Sequence, residues 1–400
     1  MRILLAWELG SNFGHLARQI PIAETLRDDG HQPVFAVADT EVAEKLLTPL
    51  GFDFLQSPVA RTRLRPPAPP ANYGELLLIE GFHEPSALAG RVRAWLALFD
   101  SLRPDALLLD HAPTPLLAAR LVGLPRVVFG TGFEIPPERT PYPCFRTWET
   151  IPPERLAHSD RQVLAHINAV RRIFGKPPYH ALPELFEGAA KALVTVPELD
   201  HYGVRAGERY LGPIFSPLDN TQASWPSGEG PRILAYLRGD VPGFQAMVAA
   251  LTVHTGPVVL VAPNAPAAWA TRVTNRHLAV HTGPVNFEPL LKNCDLGVSY
   301  GGNGTLSQFL LAGIPQIILP KNAEQYLGAT RIEAAGTGLL IRNGQNVAGI
   351  GEIITRALSD PGYRQTSRTV AARYANYHPM VSVRAVATLL GNFQAPPMQG

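Results

Sequence analysis

Ser299–Gln325 reads SYGGNGTLSQFLLAGIPQIILPKNAEQ. Just before it, DLGVSY (295–300) is a continuous apolar run of strand length, as expected for a strand buried on both faces. GGNG then permits backbone torsions closed to other residues and lets a ligand approach closely. Thr305 followed by Gln308 fits a capping box that opens the helix LSQFLLA, and Gly313 suits its C-terminus. The glycine loop therefore joins the C-terminal end of a strand to the N-terminus of a helix, where unpaired amides and the helix dipole attract anions. A diphosphate fits such a place, with Asn303 and Thr305 adding hydrogen bonds; the alternative is a tight turn that only reverses the chain. PQIILP returns as the next strand and brings Glu324 and Gln325 to the same sheet edge. An acid beside an amide suits neighbouring sugar hydroxyls, although an acid is also expected in the first turn of the helix that follows.

Outward from this stretch the chain alternates short apolar runs with amphipathic ones. RILLAW, QPVFAVA, DALLLD and PRVVFG read as strands of a first series, separated by helices such as HLARQIPIAETLRDDG, with a kink expected at Pro21. RILAYL, PVVLVA, HLAVH, LGVSY, PQIILP and TGLLI form a second series. This rhythm predicts an α/β protein with two tandem Rossmann-like, doubly wound parallel sheets and a ligand cleft between the domains. The boundaries expected are 1–212 for the first domain, 213–230 for a Pro/Gly/Ser-rich linker and 231–378 for the second domain. A helix over 379–400 is expected to pack back on the first domain. Residues 59–74 and 132–156 are proline-rich, lack a periodic apolar face and read as long loops.

Composition narrows the function. The 400 residues are 46% hydrophobic, enough for two cores, and the net charge of +2 provides no field for nucleic acid. Cys144 and Cys294 sit in no metal or redox spacing and read as buried free thiols of a reducing cytosol. The N-terminal MRILLAWELG lacks a long apolar core and cleavage site, so it reads as a strand, and no stretch is long and apolar enough to span a membrane. A cytoplasmic protein, monomeric or homodimeric, is expected.

The segments GGNGT…AGIPQIILPKNAEQ, GHLARQIP and YLGPI together resemble the GT-B nucleotide-sugar glycosyltransferases, the family of UDP-glycosyltransferases and macrolide-type enzymes. The resemblance covers most of the chain and is specific in those few segments. It implies that Gly301, Gly302, Asn303, Gly304 and Thr305 hold the donor diphosphate, and that Glu324 and Gln325 hold donor-sugar hydroxyls. Two departures stand out. Tyr300 occupies a position where the family usually has His, and Gln308 one where plant-type UDP users often carry a ribose-binding Glu. HTGPVNFEPLL resembles the segment that covers the base, with Val285, Phe287 and Gln308 as nucleoside contacts. Arg238 in AYLRGD either supplies the charge that Tyr300 lacks or is a surface arginine. The co-substrate implied is a UDP- or dTDP-sugar.

In the first domain Gly10, Ser11 and Gly14 make a turn, and His15 opens the helix. A His there is kept neutral by the dipole and suits the removal of a proton from an acceptor hydroxyl, or it merely caps the helix. The family resemblance favours catalysis. Asp110, at the end of a buried strand, is the orienting acid or else caps the helix near Pro113; His111 is a rival base. The implied reaction is an inverting displacement at the anomeric carbon. No Asp-x-Asp pair occurs in the sequence, so no metal requirement is expected. The alternatives are a sugar-nucleotide epimerase of similar fold, or a catalytically silent relative acting as a partner. The acceptor is a small molecule, natural product or lipid. Phe133, Tyr142, Phe145 and Trp148 offer an apolar acceptor wall or ordinary core packing, and the arginines of 61–65 an acidic-group contact or a solvated loop.

Overall fold

The computed structural model describes residues 1–10, 13–66, 68–215, 222–263, 265–342 and 349–393. Ser11, Pro67, and part of the expected linker (216–221) and tail (394–400) lie outside the described residues. Two compact units emerge. One is built from the described residues of Met1–Thr195, Val204–Ser216 and His378–Gly400, the other from those of Val196–Gly203 and Pro217–Tyr377.

The first unit runs β1 (Arg2–Trp7), α1 (Gly14–Asp28), β2 (Gln32–Val37), α2 (Thr40–Leu46), β3 (Phe54–Gln56), α3 (Tyr73–Leu77) and α4 (Pro85–Leu102). It continues with β4 (Ala106–Asp110), α5 (Pro113–Val122), β5 (Arg126–Gly130), α6 (Pro153–Ile173) and β6 (Ala190–Leu193). The second runs β7 (Ile233–Tyr236), α7 (Phe244–Val253), β8 (Val258–Val261), α8 (Ala267–Val273), β9 (Leu278–His281), α9 (Glu288–Leu291), β10 (Leu296–Ser299) and α10 (Asn303–Leu311). It ends with β11 (Gln316–Ile318), α11 (Ala323–Ala334), β12 (Gly338–Leu340), α12 (Ile350–Ser359) and α13 (Pro361–Ala372). The last helix, α14 (Pro379–Gly391), belongs to the first unit, packs on α1 and pairs Arg384 with Asp29 at 3.3 Å.

Each unit holds a six-stranded sheet, ordered β3-β2-β1-β4-β5-β6 and β12-β11-β10-β7-β8-β9, with every pairing parallel. Read from β9, the second order repeats the first. In each sheet the order reverses direction beside the unit's first strand, between β1 and β4 and between β7 and β10. The crevice beyond the strand ends at such a point is where open parallel sheets bind ligands. The apolar runs explain the burial: β4, β5, β8 and β10 are buried throughout, as strands covered on both faces must be.

The two proline-rich stretches carry no regular element between Ser57 and Asn72 or between Thr131 and Pro152 among the described residues. They are nevertheless tied together. Buried Asp160 of α6 accepts from the Asn72 side chain at 2.8 Å and from the Tyr142 amide at 2.7 Å, and the Phe145 amide donates to the Ala71 carbonyl at 2.6 Å. Phe133, Tyr142 and Phe145 are buried in contact with this framework, the core-packing alternative, while Trp148 is exposed. Arg63 pairs with Glu80 at 3.0 Å, and Arg61 and Arg65 are exposed. Both cysteines are free and half-buried rather than buried. Among the described residues no helix is long and apolar enough to cross a membrane.

In β10 the Phe309 ring of α10 lies flat against Gly297, and a Cβ there would stand 2.6 Å from the ring. Overpacking of this kind costs about 1–3 kcal/mol. Gly297→Ala is therefore expected to lower the free energy of unfolding from urea titration by that amount, and an unchanged midpoint would refute this packing.

Candidate active site

At the reversal point of the first sheet, β1 and β4 run side by side with Trp7 opposite Asp110. Helix α1 leaves the end of β1 and presents His15, Arg18 and Gln19, spaced i, i+3 and i+4, to one spot. That spot is the carboxylate of Asp110, which is fully buried. His15 Nδ1 lies 3.0 Å from Oδ1. Arg18 grips both oxygens, Nε to Oδ2 at 3.0 Å and Nη2 to Oδ1 at 2.5 Å, and Gln19 Nε2 donates to Oδ2 at 3.1 Å. Burial alone would raise the Asp110 carboxyl, but Arg18 and then His15 hold it well below the usual carboxylate range. It is a permanent anion.

The His15 ring stacks on Trp7, centroids 5.1 Å apart and planes 18° from parallel. The Trp7 indole is itself fixed by donation to the Leu9 carbonyl at 2.8 Å. With one face against Trp7 and Nδ1 committed to Asp110, Nε2 is the available ring nitrogen. It points past Gly10, which takes φ = +90°, and a Cβ at that position would stand 2.4 Å from Nε2. Glycine at position 10 thus keeps the space before Nε2 open.

Three further findings revise the sequence reading here. The helix at Pro113 is served by Glu8, whose Oε2 accepts from the Thr114 amide at 2.8 Å, so Asp110 has no capping duty. His111 is buried at φ = +44° between Tyr73 and Phe133, its Nε2 enclosed without a hydrogen-bond partner. Burial pushes it down to about 4, so it is neutral, and Asp110 bonds to His15 instead. Glu134 enters from the loop after β5: its Oε1 accepts from Arg18 Nη2 at 2.8 Å and its Oε2 from the Thr131 amide at 2.8 Å. Burial raises the Glu134 carboxyl and the Arg18 guanidinium more than reverses this, to about 2. Arg18 and Gln19 were open to inference from their spacing after His15. Glu134 had no local signal.

The second sheet's reversal point carries the glycine loop. Gly301 takes φ = +89°, and a Cβ there would meet Ile318 at 3.0 Å and the Gln325 carbonyl at 3.1 Å. The glycine loop and the start of α11 are therefore packed together, as the spacing of GGNGT and EQ predicts. The capping box does not form. Helix α10 begins at Asn303, earlier than expected, with Gly302 as a cap that has no side chain, which places Thr305 inside the first turn. The first amides of α10 thus lack a side-chain acceptor, and buried Asn303 Nδ2 also has no partner. Gln308 sits half-buried further along α10.

Tyr300 packs its ring over Gly302 and lies 5.4 Å from the Tyr236 ring. Its phenol is pushed up, first by burial and then by Tyr236, so it stays a neutral donor. Tyr236 meets Phe287 edge-on, and Phe287 stacks on Phe309; Phe287 is 7% exposed and Val285 packs against the same cluster. The cations nearby are Arg238 and Lys321, both paired with Asp240, at 3.4 and 2.5 Å. Lys321 was not foreseen from sequence. Beside this pair a cavity of about 390 Å³ is lined by Arg238, Asp240, Phe244 and Trp269. Glu324 is half-buried in the first turn of α11. Gln325 is 8% exposed, and its Oε1 accepts from the Lys321 amide at 3.0 Å, so this oxygen serves the helix start. Among the described residues no group of His, Cys, Asp and Glu is placed to hold a metal ion.

Comparison with known proteins finds glycosyltransferases. Residues 274–386 match the erythromycin biosynthesis protein CIII-like C-terminal domain. A "PGL/p-HBAD biosynthesis glycosyltransferase" of Mycobacterium tuberculosis is 26% identical over 395 residues, covering 93% of this chain and 88% of that protein. The chain has the two-domain GT-B fold, and the proteins it resembles are glycosyltransferases. The same fold appears in the spinosyn rhamnosyltransferase SpnG complexed with thymidine diphosphate, with TM-score 0.66, 21% identity, and coverage of 96% of this chain and 100% of that one. Its complex with spinosyn aglycone gives TM-score 0.63 at 20% identity and the same coverage. Tyr300, at the position where the resemblance leads one to expect His, is a neutral phenol among aromatic rings.

Buried Glu8 supplies a test of the first unit's electrostatics. Burial pushes its carboxyl up to about 7, so the folded state keeps a proton that the unfolded chain releases above about 4.5. Its contribution to stability is full below pH 4.5 and declines as the pH rises through 7. Glu8→Gln, which mimics the protonated form, is expected to stabilise at pH 8 relative to pH 5, by on the order of 3 kcal/mol. Urea titrations at the two pH values decide this; an equal effect at both would overturn it.

Proposed function

We propose that the chain transfers a sugar from a thymidine or uridine diphosphate sugar to an acceptor hydroxyl, with inversion and without a metal ion. The acceptor is of natural-product or lipid type. Residues 1–212 serve the acceptor and 231–378 the donor, joined by the 213–230 linker. The observation that carries this reading is the buried His15–Asp110 pair, with Nδ1 committed to the carboxylate and Nε2 facing the space kept open by Gly10.

His15 Nε2 takes the proton of the acceptor hydroxyl as its oxygen attacks the anomeric carbon. Asp110, Glu134 and Arg18 together carry one net negative charge before transfer, so the cluster becomes neutral as the imidazolium forms. The departing diphosphate is received by the amides of Gly302, Asn303, Gly304 and Thr305, by the Asn303 side chain and by the Tyr300 hydroxyl, with Arg238 supplying positive charge. Glu324 and the amide group of Gln325 bind donor-sugar hydroxyls, and Val285, Phe287 and Gln308 flank the nucleoside. That the spinosyn enzyme takes thymidine diphosphate and an aglycone supports a nucleotide donor and an acceptor of natural-product type. The absence of any Asp-x-Asp pair supports transfer without metal.

Thymidine or uridine diphosphate is expected to raise the melting temperature, and a panel of nucleoside diphosphates without any shift would sink the donor assignment. His15→Ala is expected to lower kcat by about 10²–10⁴ while leaving the nucleotide-induced shift intact. Turnover is expected to survive EDTA, and NMR of the product is expected to show the anomeric configuration opposite to that of the donor. Retained configuration would exclude single displacement.

A further inference from the structure

His15 has two neutral tautomers, and only one can act. With the proton on Nδ1 the ring donates to Asp110 and presents a bare Nε2; with the proton on Nε2 it has nothing to accept with there. Proximity to Asp110 alone does not settle the matter, because Arg18 Nη2 lies 3.0 Å from His15 Nδ1 and can only donate. A hydrogen from Arg18 to Nδ1 would stabilise the tautomer that cannot act.

Arg18 Nη2 carries two hydrogens and has three acceptors within reach: Asp110 Oδ1 at 2.5 Å, Glu134 Oε1 at 2.8 Å and His15 Nδ1 at 3.0 Å. Both carboxylate oxygens are charged acceptors and outcompete a neutral ring nitrogen. With Glu134 in place both hydrogens are taken, and Nδ1 is left to donate to Asp110. Glu134 is held for this task. Its Oε2 accepts from the Thr131 amide at 2.8 Å and hydroxyl at 3.2 Å, and a Cβ at Gly130 would stand 2.6 Å from that same oxygen.

We propose that Glu134 is a positioning residue that fixes the working tautomer of His15 by occupying the Arg18 hydrogen that would otherwise go to Nδ1. The inference rests on His15 being the base. It gives the Arg18–Glu134 contact a role that a simple ion pair lacks. Removing Glu134 is harmful only while Arg18 remains, so deleting Arg18 as well repairs part of the damage.

The test uses the full chain labelled with ¹⁵N-histidine, the His15 signals being assigned by their loss in His15→Gln. In the wild type the neutral ring is expected to show a protonated Nδ1 and a bare Nε2. In Glu134→Leu a population of the opposite tautomer is expected, with kcat lower by about tenfold or more and KM for both substrates within about twofold. Adding Arg18→Met to Glu134→Leu is expected to recover at least about threefold in kcat and to return the ring to the Nδ1–H form. Should Glu134→Leu fail to fold by near-UV circular dichroism, Glu134→Gln is read the same way, with a smaller shift in the same direction. Identical His15 signals in wild type and the Glu134 variant overturn the proposal, as does a double variant no faster than the single one. If His15→Ala keeps full turnover the base assignment fails, and the ¹⁵N arm still reports separately whether Glu134 sets the tautomer.

Discussion

A carboxylate with no exposure to water, placed where the first sheet reverses its strand order, is the constraint around which the N-terminal unit is arranged. An unpaired charge at Asp110 would cost several kcal/mol, and its four hydrogen bonds offset that cost. All four come from one face of α1, which fixes the rotation and height of that helix against β4. His15 is therefore positioned by the same contacts that neutralise the buried acid. Trp7 then sets the plane of the ring, and Gly10 leaves its outer nitrogen uncovered.

The C-terminal unit solves the opposite electrostatic problem. There the sheet's reversal point offers uncompensated positive dipole, from a helix whose cap has no side chain. Asn303 adds a buried amide donor without a partner, and Tyr300 adds a phenol that burial keeps protonated. Fixed charge is drawn back from the loop into the Arg238–Asp240–Lys321 group.

Much of this was legible in the sequence. Buried strands and their spacing announced two parallel sheets because such strands must be apolar on both faces. The glycine loop and its partner segment were placed on one edge by the strand and helix between them. His15 and Asp110 were placed at one sheet edge because one follows β1 and the other ends β4. What stayed hidden depended on contacts distant in the chain. Glu134 is a loop residue whose partner lies on α1, and nothing in GFEIPPER marks it. Glu8 took over the capping role that Asp110 was free to fill, and the start of α10 moved forward because a glycine cap needs no side-chain signal. The aromatic residues of the second loop were ambiguous between core and pocket until Asp160 was seen to fold that loop inward.

Asp160 has a further consequence. One buried carboxylate on α6 holds Asn72 from the first proline-rich loop and Tyr142 from the second. The two loops are separated in sequence yet share this anchor and a direct Phe145–Ala71 hydrogen bond, so neither is an independent insertion. Changes of length or composition in one are tolerable only if the knot at Asp160 persists, and loss of the knot releases both at once. In recombination among related chains the pair would travel best as one cassette, carrying its α6 segment with it.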